Sequence, residues 1–151
     1  MNKLKTLQIV HLAFCIFPII FAITAIFINY SEIHFNMVNI QQPLLLIAPI
    51  VALISSIGSR LVFNSLINSA KNNLELSDHS KFLQYQTALI VKAAFLEGAA
   101  LFNIVVFLIT SNTFTLFFAF WCIYGLWHRR PTKDRIVEEL SLQDTNTLNG
   151  I

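Results

Sequence analysis

The chain has 151 residues, 56% hydrophobic and 12% charged, with a formal net charge of +2 and 14 phenylalanines. Its mean hydropathy is +0.66. A soluble domain carries about 25% charged residues, so half that share, with this much phenylalanine, argues for a membrane protein.

The first apolar run is Leu7 to Ile28, free of charge throughout. It makes about 33 Å of helix, enough for a hydrocarbon core of about 30 Å. Lys3 and Lys5 precede it, as in a signal peptide, but the run is too long for a cleaved segment and no A-x-A site follows. An uncleaved membrane helix bent at Pro18 is expected.

The second run begins at Pro43, a residue suited to a first helical position. It contains Pro49 and continues past Arg60, so a helix over 43–66 is expected to project from the bilayer. A polar connector over 68–86 carries both charge signs, lacks glycine and proline, and is compatible with helix for much of its length. The third run spans 87–110. "SNT" then predicts a tight turn, and the fourth run over 113–128 is short, its apolar core making about 21 Å. Trp121, Tyr124 and Trp127 resemble an interfacial aromatic group at its end. In the tail, 129–151, Thr132 is a candidate N-cap for a short helix with Ile136, Val137 and Leu140 on one face. A solvated or headgroup-facing tail is expected there.

With four spans, all ten lysines and arginines fall on one side, because the loop over 29–42 and the "TSNT" turn contain none. The positive-inside rule then puts both termini in the cytoplasm. The predicted fold is an all-α membrane protein over 1–151, with four transmembrane helices in two antiparallel hairpins.

Cys15 and Cys122 lie in apolar runs and are expected to pack as small hydrophobes. His11, His34, His79 and His128 are scattered, so no metal site and no cofactor are expected. There is no nucleophile–base set, paired carboxylates or phosphate-binding glycine loop, which argues against an enzyme. Glu75, Asp78 and His79 are the nearest thing to a cluster and read as a solvated face. The basic residues are spread over four segments, which fits an orientation signal better than a nucleic-acid surface.

One residue stands out. Glu97 lies in "KAAFLEGAALF", near the middle of the third run. A charged carboxylate at the bilayer centre costs at least ~3 kcal/mol, so Glu97 must be neutral or paired inside the bundle. Lys92 is five residues away, about 140° around the helix, and is expected to snorkel to the cytoplasmic surface. Ser55 and Ser56 lie at a similar depth on the second helix. Ala93, Ala94, Gly98, Ala99 and Ala100 surround Glu97, while Ala48, Ala52, Ser56 and Ser59 punctuate the second helix. Small residues let helices approach, so Glu97 is expected at a second–third helix contact, bonded to a serine or a carbonyl. Asn103 is a candidate extension of that polar path.

"YQTALIVKAAFLEGAALFNIVVFLI" resembles the ion-binding helix of the c subunit of rotary ATP synthases, where small residues and an aliphatic run follow a mid-membrane carboxylate. By that likeness Glu97 would be the ion-binding carboxylate. The second helix has one glycine and a proline where that family has a glycine ladder. Over its whole length the chain resembles small four-helix membrane proteins of Bacteroidetes-type bacteria. The likeness rests on Leu96-Glu97-Gly98-Ala99 and the closing Arg130 to Leu140 segment. It implies a bacterial inner-membrane protein and brings no activity with it. The expected role is structural or accessory, in the lipid bilayer, with a homo-oligomer or another membrane protein as partner. The alternative is a proton- or cation-binding subunit or small carrier using Glu97.

Overall fold

In the computed structural model, residues 3–36, 42–73 and 76–141 are described. They form five helices: α1 Lys3–Ile28, α2 Pro43–Asn72, α3 Asp78–Thr110, α4 Thr113–His128 and α5 Lys133–Leu140. Three of these, α1, α2 and α3, are long and apolar enough to cross a membrane, and α4 is a shorter apolar helix. The connector expected over 68–86 is mostly helix: α2 runs to Asn72 and α3 starts at Asp78. α2 ends at Asn72, and Ser77 caps α3 by accepting from the Ser80 amide at 3.3 Å. Glu75 lies outside the described residues.

α3 is the central element and packs against every other helix. At one end of the bundle, Ala22 and Ala25 of α1 meet Ile104 and Phe107 of α3 and Leu116 of α4. Leu45 and Ala48 of α2 meet Val106 there. At mid-height Ala52, Ala99, Ala100 and Cys122 bring α2, α3 and α4 together. At the other end Leu7, Phe63, Ile67, Phe82 and Tyr85 form the largest apolar cluster. Neighbours in sequence are therefore antiparallel. Arg60, Lys92 and Arg129 sit toward this second end, hereafter the basic end. α2 is about 45 Å long and α3 about 50 Å, so both exceed a hydrocarbon thickness of about 30 Å.

The tail does not stay apart as the sequence suggested. α5 is capped at its start by Thr132, whose hydroxyl accepts from the Arg135 amide, and at its end by Ser141 in the left-handed conformation. Ile136 and Leu140 are fully buried in the basic-end cluster, with Val137 against it. An eight-residue helix has little stability alone, and burial of this face supplies what propensity does not. Arg135 adds a link by donating to the carbonyls of His128 and Arg130 at 3.4 and 3.3 Å, at the end of α4. Gln8 of α1 donates to the Pro131 carbonyl at 3.0 Å.

The opposite end is closed by asparagines. Asn112 caps α4 by accepting from the Phe114 amide at 3.0 Å. It also accepts from the Asn36 amide at 3.3 Å and donates to the Asn36 carbonyl at 2.9 Å. Backbone bonds from His34 to Ser111 and from Thr113 to His34 complete a short parallel bridge. Asn29 donates to the Phe107 and Leu108 carbonyls, which lie at the end of α3. Ser111 adopts φ 52°, which allows the abrupt reversal between α3 and α4. The "SNT" turn is where the sequence put it, and its long-range partner is the α1–α2 loop.

Two outcomes follow. Asn112→Ala removes a cap and two bonds to Asn36 and should cost about 2–3 kcal/mol, with Asn112→Asp intermediate because it keeps the acceptor. Thermal unfolding in detergent would show this, and an unshifted midpoint would mean that the loop is not clamped. Leu140→Ala should cost about 2–4 kcal/mol and open the tail to protease before the bundle unfolds. Equal protease resistance in both forms would contradict the docking of α5.

Candidate functional site

The sequence singled out Glu97, and the structure gives it different neighbours from those expected. On α3 it shares a stripe with Ala93 and Ile104, by the i+4 and i+7 spacing of a helix face. Ala93 packs against Cys15 and Ile104 against Ala22 and Ala25, so this stripe faces α1. Glu97 is half-buried and close enough to Cys15 to act on its thiol electrostatically. Among the described residues it makes no hydrogen bond and no ion pair. The expected bond to Ser55 or Ser56 is absent because the two serines lie on α2, away from this stripe.

Ser55 is half-buried and joins no polar cluster. Ser56 turns toward α4, where its hydroxyl lies against the Cys122 thiol. Ser59, fully buried, donates to the Ser56 carbonyl at 3.0 Å. Gly98, expected at the tight contact, faces outward, and a Cβ placed there would meet nothing within 4 Å. The close approach of α2 and α3 uses Ala52, Ala99 and Ala100 instead.

Asn103 does not extend a path from Glu97. Six residues along a helix place the two side chains ~120° apart. Asn103 is fully buried and donates to the Ala48 carbonyl of α2 at 3.2 Å and to the Ala99 carbonyl at 2.9 Å. It is the polar tie between α2 and α3 that the sequence assigned to Glu97. Its amide oxygen remains buried and unpaired.

Three groups carry weight that the sequence did not reveal. His11 is buried, and its Nε2 donates to the Leu126 carbonyl at 3.1 Å, joining α1 to α4. Its Nδ1 has no partner. Glu139 of α5 lies beside Tyr85 and pairs with Arg129 at 3.8 Å. Lys92 departs furthest from expectation. Its stem leans toward the basic end, as helical geometry demands, yet it stops inside the bundle. It is 6% exposed, with its ammonium 4.3 Å from the centre of the Phe63 ring. The Phe63 ring face offers the cation a favourable contact there.

Lys92 lines a cavity of about 330 Å³ between α2, α3 and α4, with Ser56, Ser59, Arg60, Tyr124 and Arg129. A wider cleft of about 540 Å³ lies between α1 and the start of the tail, lined by Gln8, His11, Cys15 and Arg130. No cluster of three or more potential metal ligands occurs among the described residues. Comparison with protein families, curated proteins and solved structures finds no match to this chain.

Proposed function

We propose that this is a four-span protein of the bacterial inner membrane, with both termini cytoplasmic, serving a structural or accessory role in the bilayer. The observation that carries the reading is that the chain closes its own bundle at both ends. The asparagine clamp ties the α1–α2 loop to the α3–α4 turn, and α5 lies over the other end. Such a bundle is a rigid body that presents an apolar perimeter to lipid and polar elements to the cytoplasm. The orientation rests on Arg60, Lys71, Lys81, Lys92 and Arg129 to Arg135 being grouped at the basic end.

α4 makes about 24 Å of helix. Its exposed Trp121, Tyr124 and Trp127 suit an interface, and Arg130 stacks 4.4 Å from the Trp127 ring centre. These anchors support a fourth span that the bilayer meets by slight local thinning. The bilayer is the partner that the exposed apolar perimeter fits, and association with a second copy or another membrane protein remains part of the accessory reading.

The second reading is a proton- or cation-binding subunit using Glu97. It is favoured by one observation, the lack of any bonding partner for this carboxyl within the described residues.

Topology is tested on the full chain, because Cys15 and Cys122 are buried and should be silent to impermeant maleimides. Ser31→Cys should be labelled in intact cells, and Lys71→Cys only after permeabilisation. The reverse pattern would sink the orientation.

Glu97 is tested separately. With no hydrogen bond to lose, Glu97→Gln and Glu97→Leu should both keep thermal stability within ~0.5 kcal/mol or raise it, since removing a carboxyl from an apolar span relieves a cost. Under the accessory reading, liposomes bearing the wild type and Glu97→Gln should pass protons at the same rate. A pH-gradient-driven flux abolished by glutamine would establish the carrier instead, because an amide does not cycle a proton.

A further inference from the structure

The cavity between α2, α3 and α4 gathers an excess of positive charge. Arg60 of α2, Lys92 of α3 and Arg129 at the end of α4 all line it. Lys92 feels Arg129, Arg60 and Arg135, and the single opposing charge acting on it is Glu139. Glu139 is already engaged with Arg129 at 3.8 Å, which leaves Arg60 and Lys92 uncompensated.

Burial of a lysine without a carboxylate is unfavourable, and the Phe63 ring offsets only part of that cost. Among the described residues the Lys92 ammonium makes no hydrogen bond or ion pair, although only 6% of the side chain is exposed. Ser56, beside Cys122 of α4, also lines this cavity. An ammonium without a carboxylate partner, facing a void that Arg60 and Arg129 also line, is complementary to a multi-oxygen anion. A phosphate group accepts from a guanidinium, an ammonium and a hydroxyl together, and such charge-assisted bonds are the strong ones.

We propose that this cavity binds a phosphate group, carried either by an anionic phospholipid or by a soluble phosphate compound. Arg60 and Lys92 supply the charge and Ser56 a hydroxyl donor. The space of about 330 Å³ accommodates a phosphate with a small substituent. Trp121 and Tyr124 also line the cavity while exposing 54% and 66% of their surface to the outside of the bundle. A ligand can therefore hold its phosphate inside and extend an apolar chain past these rings. Basic pockets between membrane helices at the headgroup level are suited to this kind of recognition.

The test uses the full chain in an uncharged detergent and reads the change in tryptophan fluorescence, because Trp121 lines the site. The probes are dioctanoyl phosphatidylglycerol, uncharged dioctanoylglycerol, glycerol phosphate and inorganic phosphate. The charged lipid should bind at least about tenfold more tightly than the uncharged one, and more weakly as salt rises. Arg60→Gln, at an exposed position, should fold normally and lower affinity about tenfold. Lys92→Met should lower it as much while raising the unfolding midpoint, a split that a purely structural lysine would not produce. Lys71→Gln removes an equal charge away from the cavity and should change nothing.

Tight binding of the charged lipid alone assigns the source to a headgroup, and comparable binding of glycerol phosphate or inorganic phosphate assigns it to a soluble ligand. Equal affinity for charged and uncharged lipid, with no binding of the soluble phosphates, would overturn the proposal. So would equal losses in Lys71→Gln and Arg60→Gln, which would reduce it to diffuse attraction by the basic end.

Discussion

The close approach of α2, α3 and α4 over Ala52, Ala99, Ala100 and Cys122 is the contact on which the rest of the bundle depends. In an apolar medium helices gain little from hiding hydrocarbon, because lipid is as apolar as leucine. Association then relies on dense van der Waals contact, and small side chains permit it. Around this waist α3 becomes the shared neighbour of every helix. Asn103 reinforces it by reaching the Ala48 carbonyl, a hydrogen bond made where no water competes.

The two ends depart from the waist in opposite ways. Away from the basic residues the chain has only loops and helix termini, whose free amides and carbonyls need partners. Asn29 meets that need by donating to two α3 carbonyls, and the Asn112 side chain both accepts from and donates to the Asn36 backbone. At the basic end the residues become large, with Phe63, Phe82 and Tyr85 in one cluster. Ile136 and Leu140 of α5 complete this cluster, and the charged cavity lies beside it between α2, α3 and α4. Lys92 stays inside, against the Phe63 ring and beside the cavity.

Charge and aromatic placement connect this packing to the membrane. The exposed rings of α4 and the arginines that follow suit the headgroup layer. Arg135 and Arg129 also hold α5 through the α4 carbonyls and Glu139. The arginines of the basic end thus take part in the fold, so loss of one weakens the docking of the tail. An exposed ion pair such as Arg129–Glu139 contributes little by itself, and the buried Ile136 and Leu140 carry most of that docking.

The sequence by itself determined the helices. Uncharged runs of sufficient length, Pro43 at a helix start, the "SNT" reversal and the Thr132 cap are local signals, and a helix satisfies its own backbone wherever it lies. It did not determine which way each side chain faces, since the rotation of a helix is set by its neighbours. Glu97 drew attention as a charge in an apolar run, yet its stripe faces α1 rather than the serines of α2. Asn103, expected to extend a path from Glu97, instead took the tie to α2 because its face and the Ala48 carbonyl meet. Lys92 read as a surface anchor, yet it is buried against Phe63, a residue far away in the chain. The apolar face of α5 was legible, but what would cover it was not. Only the tertiary structure decided these points, because each depends on contacts between residues distant in sequence.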